Sequence, residues 1–230
     1  MILSAHQPQY LPWLGFFDKV ARSDGFVFLD TVQYKAREFQ NRNKIRTSGG
    51  WIWLTVPVYG RGKYRQAVRD VRIDNEFPWA KQHRESFRSA YGRAAFYKDH
   101  QAFLEQLYAG TWDRLIDLSV YIIRYVLEYV AIKTPLYFES DLGTTLTRTE
   151  RIIELCRKLN ADTYLSGAGG REYLEEEKFR EAGIELTYQQ FGHPVYQQLF
   201  VTAEKPFLPN MCIFDLLLNE GPRSRDVLSV

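Results

Sequence analysis

MILSAHQPQYLPWLGFFDKVARSDGFVFLD, residues 1–30, reads as strand, helix and strand in succession. Met1–Ala5 is a short apolar run of the kind that forms a buried strand. Pro12–Arg22 spaces its apolar residues as a helix does, and Pro12 suits a first turn whose N–H groups have no partner. Gly25–Asp30, entered through Ser23-Asp24, is a second apolar strand. A strand, a crossover helix and a strand favour parallel pairing with a right-handed connection. Between the first strand and the helix lies HQPQYLPWLG, residues 6–15. It leaves the strand at its carboxyl end, the edge where open α/β sheets hold ligands, and opens onto a helix N-terminus with free N–H groups. His6, Gln7, Gln9 and Tyr10 are therefore candidate binding residues, although Tyr10, Leu11 and Trp13 read equally well as core.

Working outward, Trp51–Val58 alternates as a third strand, and Gly60-Arg61-Gly62-Lys63 breaks the pattern as a loop. Helical spacing then runs from Pro78 to about Tyr91, over Asp99–Tyr108 and over Trp112–Val130, ending before Pro135. Leu136–Glu139 is a further strand, and Thr147–Asn160 a helix with a capping box from Thr147 to Glu150. Asp162–Ser166 reads as a strand, Arg171–Ala182 as a charged helix closed by Gly183, Ile184–Tyr188 as a strand, and Met211–Asn219 as an apolar helix. Strands alternate with helices at both ends around a helical block. The expected class is α/β, a three-layer Rossmann-like parallel sheet in one domain over 1–230, with a helical insertion at about 78–133.

Composition narrows the function. Hydrophobic residues make up 45% and charged residues 25%, as in soluble globular chains. The net charge of +2 supplies no global field for nucleic acid or an anionic membrane, so the expected partners are small molecules. No signal peptide or membrane span is read, because Leu115–Ile132 is interrupted by Asp117, Arg124 and Glu128. With two cysteines, Cys156 and Cys212, in apolar helical patterns, a structural role and a cytoplasmic setting are expected. Four histidines and two cysteines without ligand spacing predict no metal site, and His83 and His100 read as helix-surface residues.

Four constellations could carry chemistry. Asp30 and Gln33 follow the second strand and could face the same crevice as His6 and Gln7, unless Asp30 only caps a turn. In Lys35–Arg46, Lys35 and Arg46 suit a solvated loop, whereas Arg42 and Asn43 offer a fork for phosphate or carboxylate and adjacent hydrogen bonds. LSGAGGREYL, residues 165–174, is a strand, a glycine turn and a helix start. There Ser166, Gly167 and Gly169 would let backbone approach a phosphate, with Arg171 at the exit, or would form a plain tight turn. The run lacks the spacing of a Walker loop or a dinucleotide fingerprint. Finally, His193 in QFGHPVYQQ, residues 190–198, is a candidate general base or a structural residue.

Together these segments resemble the WbqC-like family of bacterial proteins. The likeness is carried by residues 6–15, 23–34 and 41–45, by WLTVPV at 53–58 and YLSG at 164–167, and by HPVYQ at 193–197 and FDLL at 214–217. The resemblance implies clusters for O-antigen and other surface polysaccharides, with glycine transfer as a suggested activity. A more distant likeness is to the nucleotidyltransferases and pantothenate synthetase, whose histidine loop binds ATP phosphates. Gln33-Tyr34 would match their Gln–aromatic pair, and residues 166–174 their late phosphate loop. Their second histidine has no counterpart, since residues 11–15 read LPWLG.

The expectation is an enzyme, an amino-acid or acyl transferase or an ATP-dependent ligase. It would pass a small amino acid such as glycine to a sugar or amine acceptor, with ATP and its Mg2+ supplying activation through an acyl-adenylate. His6, Arg42 and Arg171 would stabilise phosphate charge, while Gln7, Gln33 and Asn43 would position the acceptor. The alternative is a non-catalytic protein that holds a nucleotide sugar or a partner enzyme.

Overall fold

The computed structural model describes residues 1–60 and 65–228. Its elements in chain order are β1 (Ile2–His6), α1 (Leu14–Ala21), β2 (Gly25–Phe28), β3 (Arg42–Thr47), β4 (Gly50–Thr55), α2 (Trp79–Tyr91), α3 (Tyr97–Ala109) and α4 (Leu115–Tyr129). There follow β5 (Leu136–Phe138), α5 (Glu139–Leu142), α6 (Arg148–Lys158), β6 (Thr163–Ser166), α7 (Glu176–Glu181), β7 (Glu185–Tyr188), α8 (Ile213–Glu220) and α9 (Ser224–Leu228).

Five strands pair in parallel in the order β5-β2-β1-β6-β7. The chain thus winds outward from β1 in one direction, then returns to wind outward in the other, and the reversal falls between β1 and β6. Side-chain alternation sends each strand into two cores. Leu3, Ala5 and Val27 pack with Ile152, Leu155, Cys156 and Phe179 on the face covered by α6 and α7. Phe26 and Phe28 pack with Phe16 and Phe17 of α1 and with Phe214 of α8 on the other face. The result is a three-layer Rossmann-like fold. The helical segment of α2, α3 and α4 joins the second core through Phe87, Leu107, Ile122 and Val126. Among the described residues, no helix is long and apolar enough to cross a membrane. Cys156 and Cys212 are buried free thiols.

Several local expectations need correction. The Trp51–Val58 segment does not join the parallel sheet: β4 pairs antiparallel with β3, from Arg42↔Thr55 to Thr47↔Gly50. A parallel neighbour would need a long crossover, and Ser48-Gly49 allows only a hairpin. The supposed solvated loop 35–46 therefore ends in a strand whose Asn43 and Ile45 face inward. Arg46 is 1% exposed, with its guanidinium donating to the carbonyls of Pro206 and Phe200 at 3.0 Å each. The Thr147–Glu150 capping box does not form. Glu150 instead pairs with Lys178, and Thr149 Oγ1 accepts the N–H of Glu175 at 3.2 Å. That outside bond, with the Leu174 N–H on the Gly170 carbonyl, splits the expected Arg171–Ala182 helix into a 3-10 turn, Ala168–Glu172, and the short α7. Most of the loop read at residues 60–63, its Arg61-Gly62-Lys63 part, lies outside the described residues.

His83 and His100 are not surface residues. Each lies on the inner face of its helix, 5% and 0% exposed, with Nδ1 at 2.8 Å from the Tyr10 hydroxyl and 2.6 Å from the Tyr125 hydroxyl respectively. Burial pushes both imidazoles down to about 4. The unfolded chain takes up protons on them near pH 6.5, the native chain only near 4, so stability falls as pH drops through that window. Between pH 6.5 and 5 each imidazole is expected to cost roughly 2 kcal/mol. Urea midpoints at pH 7 and pH 5 measure the loss, and equal midpoints would contradict burial of neutral rings.

Candidate active site

His6 ends β1 and Ser166 ends β6, neighbouring parallel strands between which the winding reverses. His6 is half-buried, and its Nδ1 donates to the Gln7 carbonyl at 2.9 Å, which leaves Nε2 as the acceptor. Burial and the Lys19 ammonium together hold this imidazole down at about 3, so at neutral pH it carries no charge.

Lys19 is the residue that sequence reading missed. It lies on α1 and reaches back toward the helix N-terminus, as long helical side chains do. Its Nζ donates to the Ala5 carbonyl at 3.1 Å and stands 3.8 Å from where a Cβ on Gly167 would be. The residue is 3% exposed, and none of the described carboxylates lies within 4 Å of the amine. Burial alone drives it down to about 7. Its pattern on α1 was the only available signal: a lysine at position 19 between the apolar Phe17 and Val20.

The glycine turn completes this edge. Ser166 is 2% exposed, and its hydroxyl donates to the Gly167 carbonyl at 3.0 Å. A methyl on Gly170 would come within 2.0 Å of Ser166 Oγ, so this close approach requires glycine. Gly169 is open to solvent, with nothing within 4 Å of its Cβ direction. Arg171 stacks on the Tyr188 ring at the end of β7, 4.0 Å from the centroid. Gln189 follows Tyr188 and locks the edge to α1: its N–H donates to the Ser166 carbonyl at 2.7 Å and its Nε2 to Asp18 Oδ2 at 2.6 Å.

The other sequence candidates lie at varied distances from this edge in the fold. Gln7 accepts a bond from Gln40 at 2.8 Å just past His6, and Gln9 is buried with Oε1 unpartnered. Asp30 is buried beyond the end of β2 and accepts the Ser140 N–H at 2.9 Å. Gln33 forms a bridge with Ala67. Tyr10 enters the helical core, its hydroxyl bonded to His83 and to Tyr108 at 2.7 Å. Asn43 donates to the Leu11 carbonyl at 2.6 Å, bracing a residue at φ 50°. Arg42 lies on the outer face of the hairpin, 4.3 Å over the Trp53 ring. Both nitrogens of His193 are engaged by backbone, Nδ1 with the Pro194 carbonyl at 2.8 Å and Nε2 with the Asn210 N–H at 3.0 Å. A wider depression of about 900 Å³ between α2 and α3 is lined by residues such as Arg84, Glu85 and Lys98 and contains none of these candidates.

The model of the WbqC-like protein family matches residues 7–227. The uncharacterized protein Rv1507c of Mycobacterium tuberculosis (strain ATCC 25618 / H37Rv) is similar to this chain, with 34% identity over 224 residues, 96% of this chain and 95% of that protein. No solved structure matches the chain.

Proposed function

The chain belongs to the WbqC-like protein family, and from that premise we propose an enzyme that activates a small carboxylic acid, glycine foremost, and transfers its acyl group to an amine or sugar acceptor. The observation that carries this reading is Lys19, a buried amine without a carboxylate partner, beside an open glycine turn at the reversal of the sheet. Such a group is costly to bury and is the kind that serves an anionic ligand or moves a proton.

In this reading the acid's carboxylate oxygen attacks the α-phosphorus of ATP, the bond to the β-phosphate breaks, and pyrophosphate leaves. The acceptor then attacks the acyl carbon and AMP departs. Lys19, as an ammonium, and the N–H groups of Ala168 and Gly169 at the start of the 3-10 turn stabilise phosphate oxygens, and Arg171 closes the edge. His6, being uncharged, takes no part as a cation; its Nε2 accepts a hydrogen bond from acid or acceptor. Lys19 stays protonated through both steps, and the proton released by the acceptor leaves on the phosphate of the departing AMP. Among the described residues no group of three or more His, Cys, Asp and Glu side chains could hold a metal ion, so magnesium would arrive with the nucleotide's phosphates. An amino sugar of a bacterial surface polysaccharide is the acceptor that we favour.

ATP–pyrophosphate exchange with a panel of amino acids and small carboxylates tests the proposal. We expect exchange dependent on one acid, lost in Lys19→Met and reduced in His6→Ala. Exchange absent from folded protein with every acid sinks the adenylate step. Tight ligand binding without turnover would then favour a holding protein.

A further inference from the structure

A cleft of about 500 Å³ opens at the carboxyl ends of β2 and β5, against α4. Asp30 and Phe138 line it from the sheet side, and Arg69, Arg114 and Arg124 line it together with Trp112 and Tyr121. Arg114 and Arg124 form no ion pair with any described residue, and Arg69 reaches only Asp70, at 4.0 Å. Cations left unpaired around a concave surface attract an anion, and guanidinium forks match phosphate oxygens. The aromatic wall is held in place: Trp112 donates its indole N–H to the Leu107 carbonyl at 2.9 Å and packs 5.1 Å from Tyr121. A fixed aromatic wall suits a ring. Asp117 and Asp141 also line the cleft, so with Asp30 it offers acceptors for hydroxyl or amine groups.

The cleft lies along the same row of strand ends as His6. His6 pairs in register with Phe28, and Phe28 with Phe138, so all three lie in one row across the strand ends. Neighbouring strands stand about 4.8 Å apart, so the ends of β1 and β5 are separated by roughly 10 Å. That is within the span of one ring-bearing molecule.

We propose that this cleft binds a phosphate ester of a ring compound, a sugar phosphate or a nucleoside phosphate. The phosphate lies on Arg114 and Arg124, the ring against Trp112 and Tyr121, and the ring's polar groups on Asp30. Its assignment as the acceptor subsite rests on the acyl-transfer reading above; the binding itself does not.

Calorimetric titrations with glucosamine 1-phosphate, UMP and inorganic phosphate, at fixed salt, provide the test. We expect one ester to bind about tenfold or more tightly than inorganic phosphate, and which ester does so identifies the source. The double substitution Arg114→Ala with Arg124→Ala should weaken that binding by about tenfold or more. Arg157→Ala, an exposed change on α6, should leave it intact. Both cleft arginines are exposed, and an unchanged urea midpoint confirms the fold. Esters binding no better than phosphate, or equal losses in the Arg157→Ala control, overturn the proposal. If ester binding maps to the arginines while pyrophosphate exchange is absent, the acyl-transfer reading falls and the cleft stands. If exchange proceeds and no ester binds, the converse holds.

Discussion

Lys19→Met is expected to yield a protein that is more stable and inactive. The amine is held at about 7 against 10.5 in a free lysine, a displacement that corresponds to roughly 5 kcal/mol at 1.36 kcal/mol per pH unit. The sign follows from proton counts. Between pH 7 and 10.5 the unfolded chain binds a proton at this position that the native chain lacks, so stability rises with pH there. Below pH 7 both states are charged, and the full cost of burying the cation is present. Methionine keeps the stem's packing and removes the charge, at the loss of one bond to the Ala5 carbonyl worth about 1 kcal/mol. At pH 6.5 a net gain of about 2–4 kcal/mol is expected, shrinking toward pH 10. Urea denaturation across that range measures it. A destabilised variant at every pH would mean that the ammonium has partners which favour it, and the case for a functional lysine would weaken.

Asp215→Ala is expected to act in the opposite direction. The carboxylate of α8 is fully buried and accepts three side-chain bonds: Tyr91 at 2.7 Å on Oδ1, and Tyr196 and Gln198 at 2.6 Å each on Oδ2. The Tyr91 oxygen in turn accepts the Arg46 N–H at 2.9 Å, so one acid joins α2, β3, α8 and the 196–198 segment. Burial pushes Asp215 up, while its three donors and the Arg46 charge pull it down. Removing it strands three buried donors and takes the nearby acid from a buried arginine. A loss of about 3–5 kcal/mol is expected in alanine, and less in Asp215→Asn, which keeps an acceptor oxygen. A loss below about 1 kcal/mol would show that water satisfies these groups.

The sequence carries the parallel sheet openly because β1, α1 and β2 sit within thirty residues and each has one dominant period. The hairpin was harder to read. Arg42, Lys44 and Arg46 alternate with Asn43 and Ile45, a strand pattern, but dense charge makes such a run look like loop. Arg46 is buried only because carbonyls from residues 200 to 206, far along the chain, close over it. Nothing local announces that. The same holds for Lys19, whose surroundings come from Ala5, Phe26 and Gly167. The histidines and glycines that sequence reading favoured are visible as motifs, whereas a lysine on a helix is ordinary until its neighbours are known. Several motif residues brace the fold: Tyr196 holds Asp215, and Asn43 holds Leu11.

The order β5-β2-β1-β6-β7 also sets a timetable for synthesis. The half-sheet β5-β2-β1 comes from residues 2 to 138, and β6 begins only at Thr163. As the chain emerges, β1 is an unprotected edge until β6 arrives, a stage at which pairing between chains competes with folding. The edge left open is the one that will carry His6 and the Lys19 amine. Loop closure over so long a separation is slow, so the crevice between β1 and β6 is completed late in folding, and a chain stalled before Thr163 holds His6 and Lys19 but lacks the glycine turn that closes the site around them.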